Sequence, residues 1–270
     1  MKQKRQIDYF IMTMLSLGII ITIFIILPPA KTILYSPLGT LWQTLMDPEV
    51  SHSILITIIA ASVATLMGLL FGIPLAYLLA RYQFFGKRLL ESLIDIPVVI
   101  PHSAAGVALL FVFGKKFFLG KFFHFIGIDF FQTFYGVVLA MMFVSVPFLI
   151  DATKEGFKTI DTELEETAIT SGASSWQVFR YILLPLTLKN IYSGSILMWG
   201  RGVSEFGAIM IIAYHASLLG KTGKVLPVLV SDRFNFGLDY ARPIAALGIL
   251  ISLIIFIVLR VLSQRSEKYY

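Results

Sequence analysis

Apolar stretches of membrane-crossing length leave this chain few ways to fold. They recur at about 9–27, 53–80, 92–113, 133–152, 187–213 and 242–262, each near the roughly 20 residues a helix needs to cross a hydrocarbon core. In that medium every backbone N–H and C=O must be satisfied within the protein, which favours helices for runs of this length. Six transmembrane helices are therefore predicted, in one all-α membrane domain over 1–270, with a first span (9–27) ahead of a core of spans (53–262). Composition closes the soluble alternative. Charged residues make up 14% and the mean hydropathy is +0.83, against roughly 25% charge in soluble chains. A signal peptide over Tyr9–Leu27 does not fit: the run is too long, and Pro28-Pro29 replaces a small-residue cleavage site.

Basic residues set the orientation. With the N-terminus inside, Lys2, Lys4, Arg5, Arg81, Lys87, Arg88, Lys154, Lys158, Arg180, Lys189, Arg260, Arg265 and Lys268 are cytoplasmic, while eight basic residues lie outside. Both termini are then cytoplasmic. The net charge of +6 matches topology and anionic lipid, since no basic run carries the interleaved chemistry of a nucleic-acid face. The absence of cysteine excludes disulfides and thiolate metal sites. His52, His102, His124 and His215 have no ligand spacing, so no metal site is expected.

Between the fourth and fifth spans lies a cytoplasmic loop, 153–186, that reads as ordered without being apolar. Thr162-x-x-Glu165 has the form of a capping box, with Asp161, Glu163 and Glu166 adding negative charge at the helix N-terminus. Gly172 supplies the left-handed residue that ends this helix. Ser174-x-x-Gln177 caps a second helix, Trp176 to Leu184, which Pro185 is expected to stop. Two short helices with a glycine elbow are predicted.

Glu166-Thr167-Ala168, three residues, Gly172, nine residues and Ile182-x-Leu184-Pro185 resemble the EAA-x3-G-x9-I-x-L-P loop of the permease subunits of binding-protein-dependent ABC importers. The sequence departs from that pattern at Thr167, where the family has Ala. In that family the loop is a coupling helix docked in a groove of the ATPase subunit. The resemblance assigns Glu166, Thr167, Ala168, Gly172, Ala173, Ser174 and Pro185 to coupling. Ala168 is small enough for close docking, and Glu166 offers a charge to a basic partner.

The second span carries Ala60, Ala64, Gly68, Gly72, Ala76 and Ala80, one every four residues. Such a ridge of small side chains on one helix face lets a neighbouring backbone approach closely. Pro74 is expected to kink this span. In the third span, Pro97 and Pro101 disrupt the helix, which leaves two accounts of His102 and Ser103: residues near a permeation path, or a bent helix end with a satisfied histidine. Residues 114–132 mix seven Phe with three Lys and read as an outer interfacial helix, aromatics toward lipid. The fourth span should kink near Pro147.

The fifth span is the most polar, with Ser193, Ser195, Arg201, Ser204 and Glu205. Arg201 and Glu205 are four apart and can pair on one helix face. Either they neutralise each other and fix packing, or Arg201 lends positive potential to an anion path, with Ser204 and Glu205 beside it. The runs WGRGVSEFGA, IDIPVVIPHSAAG and FVSVPFLIDATKEGF are similar to those of oxyanion permeases, molybdate/tungstate above all and sulfate/thiosulfate next. This resemblance implies two permease copies, two ATPase subunits and an extracytoplasmic oxyanion-binding protein in a prokaryotic cell membrane. The chain itself would bind no cofactor, ATP-Mg belonging to the ATPase.

Other functions fit less well. Gly220-Lys221-Thr222 lacks the glycine five residues earlier that a phosphate loop needs; that position is His215. His102 and Ser103 are adjacent, so on a helix they point about 100° apart and make a poor catalytic dyad. A secondary transporter would show broken helices in corresponding places in both halves, and the first half has no counterpart of the capped loop. Residues 225–236 are expected to dip into the outer mouth or meet the binding protein.

Overall fold

The computed structural model describes residues 9–218 and 220–266, with side chains as far as 261. Lys2, Lys4, Arg5 and Lys268, and the side chain of Arg265, used in the orientation argument, lie outside the described residues. The chain forms α1 (Tyr9–Leu34), α2 (Leu38–Met46), α3 (Pro48–Arg81), α4 (Lys87–Val99), α5 (His102–Phe113), α6 (Phe118–Phe125) and α7 (Phe134–Lys158). The loop after α7 holds α8 (Thr162–Thr170) and α9 (Ser175–Val178), and a π-helical turn, Phe179–Leu183, runs into α10 (Leu184–Val203). Then come α11 (Gly207–Ile212), the hairpin β1 (Ala216–Leu218) and β2 (Lys221–Gly223), α12 (Leu226–Phe234) and α13 (Leu238–Ser266).

Among the described residues, α1, α3, α7 and α13 are each long and apolar enough to cross a membrane. The α4–α5 pair adds a fifth span if its two helices, bent by 117°, count as one. The predicted fifth span, 187–213, is divided: α10, whose Lys189, Asn190 and Arg201 lower its hydropathy, stops at Val203, and α11 resumes at Gly207. The six predicted spans thus appear as four continuous helices, one sharply bent pair and one interrupted helix. The three-residue strands of the hairpin, paired antiparallel, were not expected.

Helix ends also moved. The α1 helix runs through Pro28-Pro29 to Leu34. The α3 helix starts at Pro48, five residues before the expected span, because Asp47 accepts from the Glu49 N–H and Pro48 occupies the first helical turn. Helix α7 continues through Pro147 to Lys158, so 153–158 belongs to the helix and not to the loop.

The core forms where α3, α7 and α10 cross. Ala60, Ala64 and Ala76 are buried, as are Gly68 and Gly72, while Ala80 is half-buried. A Cβ on Gly68 would lie 2.5 Å from the Met198 side chain, and one on Gly72 would lie 3.3 Å from Ile150. The face opposite the ridge is apolar and exposed, with Leu66, Leu70 and Phe71 outward. The aromatic segment 114–132 divides. Phe113, Phe123 and Phe130 pack ring against ring with centroids 5.1–6.1 Å apart, whereas Phe118, Phe122 and Phe125 are exposed. The expectation that all its aromatics face lipid is corrected: burying Phe130 in the core removes more apolar surface from water than an interfacial position would.

Candidate functional site: a charged helix crossing and a glycine elbow

Two helix interruptions meet inside the molecule. The first is the α4–α5 bend at Ile100–Pro101; the second is the Ser204–Phe206 break between α10 and α11. Their approach is set by two glycines. A Cβ on Gly106 would sit 2.6 Å from the Ala208 carbonyl oxygen, and one on Gly207 would sit 2.7 Å from His102 Cβ. Only hydrogen fits at these positions, so α5 and α11 pack backbone to backbone.

The polar residues singled out in the sequence gather at this crossing. Arg201 Nη2 donates to Glu205 Oε2 at 3.0 Å and contacts the His102 ring nitrogens at 2.8 and 2.9 Å. His102 Nδ1 lies 3.0 Å from the same carboxylate oxygen. A ring with its hydrogen on Nδ1 satisfies all three groups: it donates to Glu205 and accepts from Arg201 at Nε2. Glu205, 1% exposed, uses its other oxygen, Oε1, to accept the Ala208 N–H at 2.8 Å. That contact meets one of the free N–H groups at the start of α11. Arg201 Nη1 is 3.4 Å from Ser204 Oγ, and that hydroxyl donates to the Arg201 carbonyl. Ser103 is exposed on α5 beside His102 and has no part in this network. The Arg201 charge is balanced on the spot by Glu205, and the cluster ties three helices together. Ser204 also borders an apolar cavity of about 1040 Å³ between α1, α10, α12 and α13, with Trp199, Phe206 and Phe256.

The elbow between α8 and α9 is built differently. Asp161, not Thr162, is the N-cap of α8: its carboxylate accepts the Glu163 N–H at 3.1 Å. Thr162 therefore falls one position into the helix, and the capping box expected of Thr162 and Glu165 is not formed. Glu165 turns instead to Arg81, 2.5 Å away. The helix ends in a full Schellman motif. Gly172, at φ +94°, donates to the Ile169 carbonyl at 2.9 Å, and Ala173 donates to the Ala168 carbonyl at 3.0 Å. Ala168 and Ala173 are the apolar pair such a motif brings together; both are half-buried against the cluster of Ala76, Leu79, Phe157 and Leu183. Ala168 thus packs against its own chain. Ser174 and Gln177 form the predicted capping box reciprocally, at 3.3 and 2.8 Å.

Pro185 does not stop a helix. It lies in the first turn of α10, directly after the π-helical turn. The wider turn absorbs the missing N–H, so the chain passes from the elbow into the next span without a loop. On the outer surface of the elbow, Glu166 and Thr167 are exposed, with the large apolar residues Leu164, Ile169, Trp176 and Tyr181. That surface was not read from the sequence. Its signal was available: four large apolar side chains in a segment too polar to span a membrane.

Sequence reasoning also missed Gln132, which holds a left-handed φ of +57°. Its N–H donates to the Ile212 carbonyl at 2.9 Å, and its side chain accepts the His215 N–H at 2.7 Å, fastening the outer end of α11. Beyond the hairpin, Lys224 bridges Asp232 and Tyr214, and Thr57 accepts the Leu226 N–H at 2.8 Å. Residues 225–236 are thereby held as a short helix against α3 and α13.

A bundle of bent and interrupted helices, several of them long and apolar enough to cross a membrane, with a capped elbow whose exposed face carries large apolar side chains, defines a polytopic membrane protein. The comparisons agree. Residues 68–268 match the family of binding-protein-dependent transport system inner membrane components, and the chain belongs to that family. It is 39% identical over 96% of its length, and 98% of the relative, to a molybdate/tungstate transport system permease protein of Thermococcus kodakarensis. A permease of the same description from Methanocaldococcus jannaschii is 40% identical over 93% of this chain and 95% of that one. A probable sulfate transport system permease protein of Chlorokybus atmophyticus is 35% identical over 72% of this chain and 67% of that one. In fold, the chain resembles a subunit of a bacterial alginate ABC transporter, with TM-score 0.72, 18% identity and coverage of 96% and 95%. It also resembles a methionine ABC transporter chain, with TM-score 0.60, 16% identity and coverage of 80% and 94%. The architecture is that of an ABC importer permease, and the chain is a multi-pass transport component of the membrane.

Proposed function

We propose that this chain forms the translocation path of an importer for tetrahedral oxyanions, with molybdate and tungstate as cargo. The relatives named for those ions, matched at 39–40% identity over nearly the whole chain, are the observation that carries the reading. Two copies of the chain would enclose the path, with both termini in the cytoplasm. An extracytoplasmic binding protein would deliver the anion to the outer mouth. Two ATPase subunits, holding ATP-Mg, would grip residues 161–185, where Leu164, Ile169 and Trp176 supply an apolar docking surface and Glu166 an exposed charge. The chain has no catalytic task in this scheme: closure of the ATPase pair moves the elbows, and the bundle alternates between outward and inward openings.

The neutralised Arg201–Glu205–His102 cluster suits such motion. An anion crossing near it meets no uncompensated positive charge strong enough to trap it, and conduction requires weak binding. A sulfate reading is kept by the Chlorokybus relative. Vesicles holding the assembled permease, ATPase and binding protein test both. ATP-dependent accumulation of molybdate and tungstate, with sulfate lagging, is expected. Sulfate taken up in preference would move the cargo assignment, and uptake that ignores ATP would sink the importer itself.

A further inference from the structure

The first elbow helix, α8, has no buried residue, and nothing lies within 4 Å of where a Cβ on the glycine at its end would stand. A helix so lightly packed would dissipate a push from outside unless something ties it to the bundle. Arg81, the last residue of α3, makes such a tie. Its guanidinium is 10% exposed and lies 2.5 Å, through Nε, from the Glu165 carboxylate, itself 15% exposed. The Nε–H points off the line to the oxygen, so this is a charge contact; the hydrogen bond goes from Nη2 to the Ile160 carbonyl, at 3.0 Å. Arg81 thereby holds the residue just before α8 and a side chain within it.

The same turn of α3 collects the flanks of the elbow. The Tyr77 ring stands edge-on to Phe157, near the end of α7, at 5.6 Å, and to Phe179, at the start of the π-helical turn, at 5.2 Å. Both strands of chain entering and leaving the elbow, and α8 itself, therefore converge on the cytoplasmic end of α3. That helix is the longest in the bundle at 34 residues, and its small-residue ridge is packed on α7 and α10.

We infer that Arg81 is a positioning residue for energy coupling: its ion pair with Glu165 is the link through which displacement of α8 reaches α3. The inference rests on the reading of residues 161–185 as the ATPase-docking loop and deepens it. Neither side chain is open enough to be a docking contact, so the pair acts inside the permease. Burial pushes the Glu165 carboxyl up, and the Arg81 guanidinium offsets part of that shift.

The test uses the whole transporter in vesicles, with Arg81→Gln, Glu165→Gln, the double variant and Arg81→Lys. Three quantities are measured: ATPase co-purification, ATP hydrolysis, and anion taken up per ATP. In both single variants the ATPase stays bound and hydrolysis continues, while uptake per ATP falls by about tenfold. The double variant is no worse than either single one, as expected for one interaction removed twice. Arg81→Lys, which keeps the charge, recovers most of the ratio. Unchanged uptake per ATP in the single variants overturns the inference, as does additive loss in the double variant. Loss of ATPase binding also overturns it, because the pair would then shape the docking surface without transmitting movement. A wild-type assembly that takes up no anion removes the importer reading itself, and this one with it.

Discussion

The helix crossing around Glu205 and the elbow around Gly172 both depend on glycine, for opposite reasons. At the crossing, Gly106 and Gly207 have ordinary backbone angles and no room: a backbone carbonyl or a neighbouring Cβ occupies the place of a side chain. At the elbow, Gly172 has open space around its Cα and a left-handed φ of +94°. One region is closed by packing and neutralised charge; the other is shaped by backbone conformation and left open. The proposed function uses both, a tightly packed interior and an exposed elbow offered to the ATPase.

The contrast breaks most visibly if both glycines are changed to alanine. Gly106→Ala should unseat α11 from α5, and the thermal midpoint of the purified protein in detergent should fall by many degrees, because the obstruction is a backbone carbonyl that cannot rotate away. Gly172→Ala should leave that midpoint nearly unchanged. Its strain of roughly 1–2 kcal/mol stays within the elbow and should show as weaker ATPase co-purification. Equal thermal losses in the two variants would erase the distinction.

A smaller effect is expected from the charges. Arg201→Met leaves Glu205 buried without its cation, a loss of roughly 3–5 kcal/mol for a buried pair broken on one side. Adding Glu205→Leu should recover part of that loss, although the Ala208 N–H then goes unmet. Strictly additive losses in transport and thermal stability would mean that the two side chains do not act as a pair.

The smallest effect concerns pH and sharpens the elbow side. Glu165 has a folded-state pKa raised mainly by burial. Folding therefore favours its protonated form, so its stabilising contribution is fullest below the ordinary value and is lost as pH rises through the folded value. Amide exchange of residues 162–173 should quicken as pH rises through that window, beyond the intrinsic pH dependence of exchange. Glu165→Gln should abolish the excess; an excess that survives the substitution assigns it to another group.

These particulars mark how far the sequence could be read. Ser174 with Gln177, and Gly172 as a left-handed terminus, were legible because a cap is a contact between residues three to six apart. The ridge from Ala60 to Ala76 was legible because helical periodicity is itself local. Glu165 was misplaced for the converse reason. A capping box and an ion pair compete for the same carboxylate, and the winning partner, Arg81, lies 84 positions earlier. The length of α1 was misjudged at Pro28, since a proline ends a helix only when neighbours do not meet the freed backbone groups, and α7 runs past the expected end at 152 to Lys158.

The sequence by itself determined that this chain lives in a membrane, that its spans are helical, and that a doubly capped elbow interrupts them, because hydropathy, periodicity and caps act over a few residues. Only the tertiary structure decided that His102 joins Arg201 and Glu205 across two broken helices, and that Ala168 faces inward. It also decided that Arg81 takes hold of α8. Those contacts depend on how separate helices approach, and the approach is set by glycines and side-chain volumes whose partners lie dozens of residues away.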